Sequence, residues 1–158
     1  MRNIEIMDTT LRDGEQTSGV SFAAQEKLSI VNLLLDELKV DRVEIASARV
    51  SEGEFLSVQK MAQWAKVNGY IDKLEVLGFV DGGTSLQWIV DAGCKVVNLL
   101  CKGSLKHCTY QLKKTAEEHL QDVKECVNKA KEMGLTVNLY LEDWSNCMRD
   151  SKEYVFHM

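Results

Sequence analysis

The sequence predicts an α/β fold with a parallel sheet, and more specifically the first half of a (β/α)8 TIM barrel. Apolar runs of strand length alternate with longer runs of helical period, giving four strand–helix units and then a fifth strand. Each gap between strands holds one helix, which is what a parallel crossover needs. Beyond Leu141 the chain reads "EDWSNCMRDSKEYVFHM", and Ser151 to Met158 look like the opening turns of an unfinished helix. A five-stranded doubly wound domain of flavodoxin type needs that helix to cover its sheet. Half of a barrel of about 250 residues does not. The expected unit is therefore residues 1–158 as the N-terminal half of a barrel.

Each element follows from its residues. "NIEIMD" is a short apolar-rich segment and the first strand. From Ala24 to Leu38, Leu28, Val31, Leu34 or Leu35, and Leu38 recur at helical spacing. "DRVEIAS" is the second strand. "SEGEFLSVQKMAQWAKVNG" is a helix with Phe55, Val58, Met61, Ala62 and Ala65 on one side and Gly69 as its stop. "KLEVLGFV" is the third strand, "SLQWIVDAG" a short helix closed by Gly93, and "KVVNLL" the fourth strand. A polar-faced helix runs from about Thr115 to Met133 and ends at Gly134. "TVNLYLEDW" is the fifth strand with its exit loop. Trp64 and Trp88 fall within helices and are expected in the core or at an interface.

Apolar residues make up 45% of the chain, enough for a core, and charged residues 27%, enough for a soluble surface. The formal net charge is −5 and no basic cluster stands out, which argues against nucleic acid as a partner. No apolar run reaches the roughly 20 residues of a membrane span, and "MRNIEIMDTT" carries no signal-peptide apolar region. The expectation is a cytoplasmic protein. The five cysteines, Cys94, Cys101, Cys108, Cys126 and Cys147, are odd in number and include no C-x-x-C pair. Reduced thiols are expected, not a disulfide framework or a zinc knuckle. Cys94 and Cys101 flank an apolar strand, where cysteine acts as a small hydrophobe.

In parallel α/β folds the working residues lie past the carboxyl ends of the strands. The first strand leads into "DTTLRDGEQ", which sets Asp8, Arg12, Asp13, Glu15 and Gln16 around a single glycine. The second strand carries Glu44 and runs to Ser47 and Arg49. The third runs to Asp81, Gly82 and Gly83, the fourth to Lys102, Ser104 and Lys106, and the fifth to Tyr140, Glu142 and Asp143. An arginine can grip a carboxylate in a bidentate fork or steady an enolate oxygen. An aspartate is a hard oxygen ligand for a divalent metal, and a second acid in the cleft can act as general base. By spacing alone, Arg12 and Asp13 serve equally well as ordinary turn residues. "GFVDGGTS" matches neither nucleotide-binding glycine pattern and reads as a strand-to-helix turn. His107, His119 and His157 form no ligand pair, and His119, among charged helix residues, is expected to be solvated. "CKGSLKH" reads as a solvated basic loop.

Leu11-Arg12-Asp13-Gly14-Glu15-Gln16, then ten residues, then Lys27, resembles a known signature. It is the L-R-D-G-x-Q motif of the 2-isopropylmalate, homocitrate and citramalate synthases, whose barrel is shared with hydroxymethylglutaryl-CoA lyase. "DRVEIASARVS", "LEVLGFVDG", "VVNLLCKGS" and "VNLYLEDWSN" are similar to the citramalate synthase branch. The resemblance implies a pyruvate carboxyltransferase-type catalytic domain, of which these residues are the first half.

It also implies roles. Asp13 would ligate a divalent metal (Mg, Mn or Zn). Arg12 would bind the 2-oxo acid and steady the enolate oxygen of acetyl-CoA or the developing alkoxide. Glu142 would be the base that removes a methyl proton from acetyl-CoA, with Gln16 and Glu44 as supporting polar groups. Leu77, Leu100 and Tyr140 would line the 2-oxo acid pocket, leaving room for the methyl of pyruvate. The implied reaction joins pyruvate, acetyl-CoA and water into citramalate and CoA, on the route to isoleucine. Within the family the alternatives are a 2-isopropylmalate or homocitrate synthase, or a carbon–carbon lyase like hydroxymethylglutaryl-CoA lyase, which "GEQ" and "LEDWSN" disfavour. Outside it, the alternative is a non-catalytic half barrel that pairs with another chain. The family's H-x-H pair has no counterpart here, so the metal site is expected to be incomplete. Cys147 stands where relatives tend to carry glycine. A half barrel is also expected to leave the edges of its first and fifth strands free. Whichever of Val76, Val97, Leu99 and Leu139 face the barrel axis would be exposed, favouring a homodimer or other self-association.

Overall fold

The computed structural model describes residues 4–158. Five strands, β1 (Met7–Asp8), β2 (Arg42–Ser47), β3 (Leu74–Phe79), β4 (Val96–Lys102) and β5 (Thr136–Glu142), form one sheet in the order β1-β2-β3-β4-β5. Every neighbouring pair is parallel. The order separates the two architectures left open above. A flavodoxin-type sheet doubles back on its first strand, whereas barrel strands follow one another in sequence. The fold is an α/β half barrel.

The crossovers are α1 (Ala24–Asn32), α2 (Glu52–Asn68), α3 (Thr84–Asp91), a single turn α4 (Leu105–His107), and α5 (Ala116–Glu132); α6 (Trp144–Asp150) and α7 (Lys152–His157) follow β5. Caps written in the sequence set the long helices. The Ser51 hydroxyl accepts the Glu54 N–H at the start of α2, and Gly69 ends it at φ +78°. Thr115 and Glu118 form a reciprocal capping box on α5. The last turn of the first helix loosens into a π-helical segment, Leu33–Glu37.

Side chains alternate across a strand, so the two faces of this sheet differ. Val43, Ile45, Leu74, Val76, Val97 and Leu99 face the helices and are buried there with Val31, Met61, Leu86, Ile89 and Ala130. The register puts Glu44, Glu75, Leu77, Asn98, Leu100, Asn138, Tyr140 and Glu142 on the opposite, concave face. Val76, Val97 and Leu99 therefore do not face the barrel axis and are buried. Of the four, only Leu139, on the helix side of the edge strand, is exposed, at 38%. The axis-facing surface is largely polar.

Other departures have local causes. The first strand is shorter than "NIEIMD" suggests; Asn3 lies outside the described residues, and Ile4 and Ile6 are exposed. Ile6 is tied back only through Asp41 and Arg42, because nothing packs over that sheet edge among the described residues. α4, the π-turn after it (Cys108–Leu112) and α6 replace expected loops. They carry no apolar periodicity. α6 starts from Asp143 in the left-handed region, φ +63°, whose carboxylate accepts from Asn146. The five cysteines are free and buried. Trp64 and Trp88 pack against the core, Trp88 edge-on to Phe55.

Gly78 of β3 leaves no room for a side chain between β4 and α3. A Cβ there would stand 2.7 Å from Val97 Cγ2 and 3.3 Å from Ile89 Cδ1. Gly78→Ala should lower stability by about 1–3 kcal/mol through overpacking. Adding Val97→Ala should recover part of that loss, because the two sites couple through one contact. Urea unfolding of the two single variants and the double variant measures both; simple additivity would show that the contact does not exist.

Candidate active site

The turn after β1 is built on two acceptors. Asp8 takes the N–H and the hydroxyl of Thr10, and the Thr9 carbonyl takes the N–H groups of Arg12, Asp13 and Gly14. Leu11 is buried in the core, which fixes the turn against the sheet. Arg12 Nε donates to Glu44 Oε2 at 2.5 Å and NH1 donates to Asp13 Oδ1 at 2.9 Å. NH2 has no hydrogen-bond partner among the described residues. Glu44 has no solvent exposure, whereas the Asp13 side chain is 64% exposed. Removing one partner of such a buried pair costs about 3–5 kcal/mol, because the other charge is left without water or counter-charge. Arg12 is thus held in place by a charge that has no alternative.

Sequence reasoning named Lys27 only as part of a signature. In the fold its ammonium is buried and donates to Glu15 at 2.6 Å and to both oxygens of Glu54, at 2.9 and 2.7 Å. Glu15 also accepts the Phe22 N–H. One cation therefore ties the Arg12–Asp13 turn to α1 and to the first turn of α2. Burial lowers the Lys27 pKa, but the bonds and charges of Glu15 and Glu54 outweigh it and the net shift is upward. The clue in the sequence was the pair of acids, one beside Gln16 and one in the α2 cap, that a buried lysine requires.

At the far side of the sheet, Lys102 at the end of β4 pairs with Glu142 at the end of β5. Leu100, Tyr140, Glu142 and Trp144 line an open pocket of about 460 Å³. Leu77 is not in that pocket; it is buried and sits beside Asn98 in the register. The Tyr140 hydroxyl reaches across the concave face to donate to Met7 Sδ at 3.3 Å. Burial, then the charges of Glu44 and Glu75, push its pKa up to about 12. Gln16 is exposed at the end of the Gly14–Gln16 turn. Arg12, Asp13 and Glu44 are thus joined by direct bonds, and Leu100, Tyr140 and Glu142 by one pocket. No ion pair links the two groups among the described residues. Nor, among them, does any group of three or more His, Cys, Asp or Glu side chains form a metal site. Asp13 offers one carboxylate, and one of its oxygens already accepts from Arg12.

His119 is not solvated. It is 2% exposed, and its Nε2 accepts the Lys102 N–H at 3.1 Å. Burial holds its pKa below the ordinary histidine value. The Asp81-Gly82-Gly83 segment is a turn onto α3: Asp81 accepts from Ser85, and Lys129 lies over Gly83 and donates to the Gly82 carbonyl. Cys147 is buried, and its thiol donates to the carbonyls of Glu142 and Asp143 at the root of α6.

Residues 3–154 match the model of the HMGL-like family. The chain belongs to the HMGL-like family. It is 39% identical over 143 residues to the (R)-citramalate synthase of Methanocaldococcus jannaschii, covering 89% of this chain and 27% of that protein. It is 33% identical over 150 residues to the 2-isopropylmalate synthase of Sulfurisphaera tokodaii, covering 94% of this chain and 37% of that one. The chain thus spans about a third of the length of these relatives. Its fold superposes on an HMG-CoA lyase from Bacillus subtilis with a TM-score of 0.59 at 20% identity, over 87% of this chain and 46% of that one. The half barrel matches part of that TIM barrel.

Two outcomes follow from the buried polar groups. Lys27→Met leaves Glu15 and Glu54 facing each other without a cation, so stability at neutral pH should fall by about 3 kcal/mol, read by urea unfolding. A loss below about 1 kcal/mol would show that the clamp is not formed. His119 is held neutral in the fold, so the unfolded chain binds its proton first. Stability from this group is complete above the ordinary histidine value of 6.5 and is lost as pH falls toward the lower folded value. The urea midpoint should therefore decline as pH drops below 6.5, and His119→Gln, which keeps an acceptor, should flatten that decline.

Proposed function

We propose that these residues are the N-terminal half of the catalytic domain of a citramalate synthase-type acyltransferase, and that they form its 2-oxo acid side. The observation that carries the reading is the Arg12 guanidinium. Two of its nitrogens are committed to Glu44 and Asp13 and the third is left to meet a ligand, at the carboxyl end of the sheet. The 39% identity to an (R)-citramalate synthase supports it.

On this reading the remaining N–H donors of Arg12 bind the carboxylate or keto oxygen of pyruvate, and steady the oxygen as it gains charge. Glu142 takes a proton from the acetyl methyl of acetyl-CoA, and the carbon left behind adds to the keto carbon. Water then cleaves the thioester, releasing CoA. Asp13 contributes one ligand to a Mg, Mn or Zn ion, whose chemistry when bound is to polarise the keto group. The described residues do not make that site alone, so the 158-residue chain is expected to be inactive by itself. Leu100 and Tyr140 bound the side chain of the 2-oxo acid, while Leu77, outside their pocket, does not touch it, and Gln16 and Glu44 support the arginine and its ligand. The protein is read as cytoplasmic and self-associating through its sheet edges. The 33% identity to a 2-isopropylmalate synthase favours a second reading, in which the acid is larger.

The experiment is a titration of the ¹⁵N-labelled chain with pyruvate and with 2-oxoisovalerate, followed by NMR. Pyruvate should shift the Arg12 and Asp13 signals with a Kd of about 1 mM, as suits one charged contact in a wet site. The branched acid should bind about 10-fold more weakly, and Leu100→Ala should narrow that difference. Arg12→Gln combined with Glu44→Gln, which removes both charges together, should abolish the response. Preference for the branched acid would favour the second reading. An Arg12 signal indifferent to both acids would defeat the two readings alike.

A further inference from the structure

Asn98 lies in the middle of β4, fully buried, between Val97 and Leu99, which face the helices. Its Nδ2 donates to Glu44 Oε1 at 2.8 Å, and its Oδ1 accepts from Asn138 Nδ2 on β5 at 2.9 Å. The amide orientations follow from chemistry. An ionised carboxylate can only accept, so Asn98 must present its NH2 to Glu44 and its carbonyl oxygen to Asn138. The bonds therefore run in one direction, from β5 to β4 to β2, and end on the carboxylate that holds Arg12.

The geometry at Glu44 gives this ladder a consequence. The last torsion of a glutamate is soft and roughly two-fold, so a carboxylate with one partner can turn about it. With one donor on each oxygen, Arg12 Nε on Oε2 and Asn98 Nδ2 on Oε1, the plane is fixed. Burial removes water as a substitute for either donor. We propose that Asn98 and Asn138 are positioning residues: their ladder pins the Glu44 carboxylate and, through it, the guanidinium of Arg12. That the pinned guanidinium meets a 2-oxo acid rests on the function proposed above; the pinning itself does not.

A purely structural ladder would serve the β4–β5 pairing and leave Arg12 untouched. The Arg12 Nε–H signal of the ¹⁵N-labelled chain, assigned by its loss in the Arg12→Gln/Glu44→Gln double variant, separates the two. Without any ligand, its exchange with water should be about 2- to 10-fold faster in Asn98→Ala and in Asn138→Ala, the range one net hydrogen bond is worth. Leu139→Ala, one residue along on the opposite face of β5, should leave it unchanged. Pyruvate affinity should fall by a similar factor in both asparagine variants. An Nε–H exchange rate that stays at the wild-type value in folded Asn98→Ala and Asn138→Ala overturns the proposal. Should Asn98→Ala fail to fold, Asn138→Ala, on the half-buried edge strand, decides alone. Faster exchange in a chain that binds no pyruvate would keep the ladder and defeat the functional reading. Pyruvate binding with unchanged exchange would do the reverse.

Discussion

A carboxylate without solvent exposure must be given charge and hydrogen bonds by its own protein, and Glu44 organises this fold around that need. Its side chain projects from β2 onto the concave face, where the sheet's own cations Arg42 and Lys102 are already paired with Glu75 and Glu142. The cation comes from the turn after β1, so that turn cannot wander from the carboxyl end of the sheet without stranding a charge. The penalty, about 3–5 kcal/mol, is comparable to a large part of a small domain's net stability. Glu75 repeats the device nearby with Arg42, again in a position the helices do not cover.

The two faces of the sheet then divide the labour. The helix side carries the apolar contacts that make the half barrel cohere, and most of the polar strand residues fall on the other face. The concave side carries Arg12, Glu44, Asn98 and Asn138 in one bonded network, with Tyr140 reaching from β5 to Met7 on β1. A polar concave face explains how five strands can present this surface without an apolar patch of the size that drives indiscriminate association. What remains open among the described residues is the edge of β1 and that of β5, with Leu139 beside the latter.

The strands, the long helices and the carboxyl-end location of polar side chains were legible in the sequence, because each rests on a local signal. Strands show apolar runs, helices show period and caps, and Gly69 and Gly134 mark stops that recur in the fold. Three things were not legible, for one shared reason. The facing of Val76, Val97 and Leu99, the burial of His119 and the Asn98 ladder all depend on which side of a strand or helix a neighbour occupies. In a run such as "KVVNLL", where nearly every residue is apolar, alternation leaves no mark on composition, so parity could not be read. The one polar residue in that run, Asn98, was the mark, and its partners lay 54 and 40 positions away.

Glu142 shows how magnitude, not geometry alone, decides what a pair permits. In the fold it is held by Lys102, and a base occupied by an ammonium cannot accept a proton at the bonded oxygen. Were this pair buried like that of Arg12 and Glu44, releasing it would cost several kcal/mol and the proposed role would be unreasonable. The Glu142 side chain is 40% exposed and that of Lys102 20%, and an exposed pair of this kind is worth only about 0–1 kcal/mol. Separation is therefore cheap, and the second oxygen of Glu142 makes no hydrogen bond among the described residues. The carboxyl end of the sheet thus holds, at opposite edges, one ion pair too costly to break, at Arg12, and one that solvent already competes for, at Glu142. The first suits a residue that must keep a substrate in place; the second suits a residue that must change its proton.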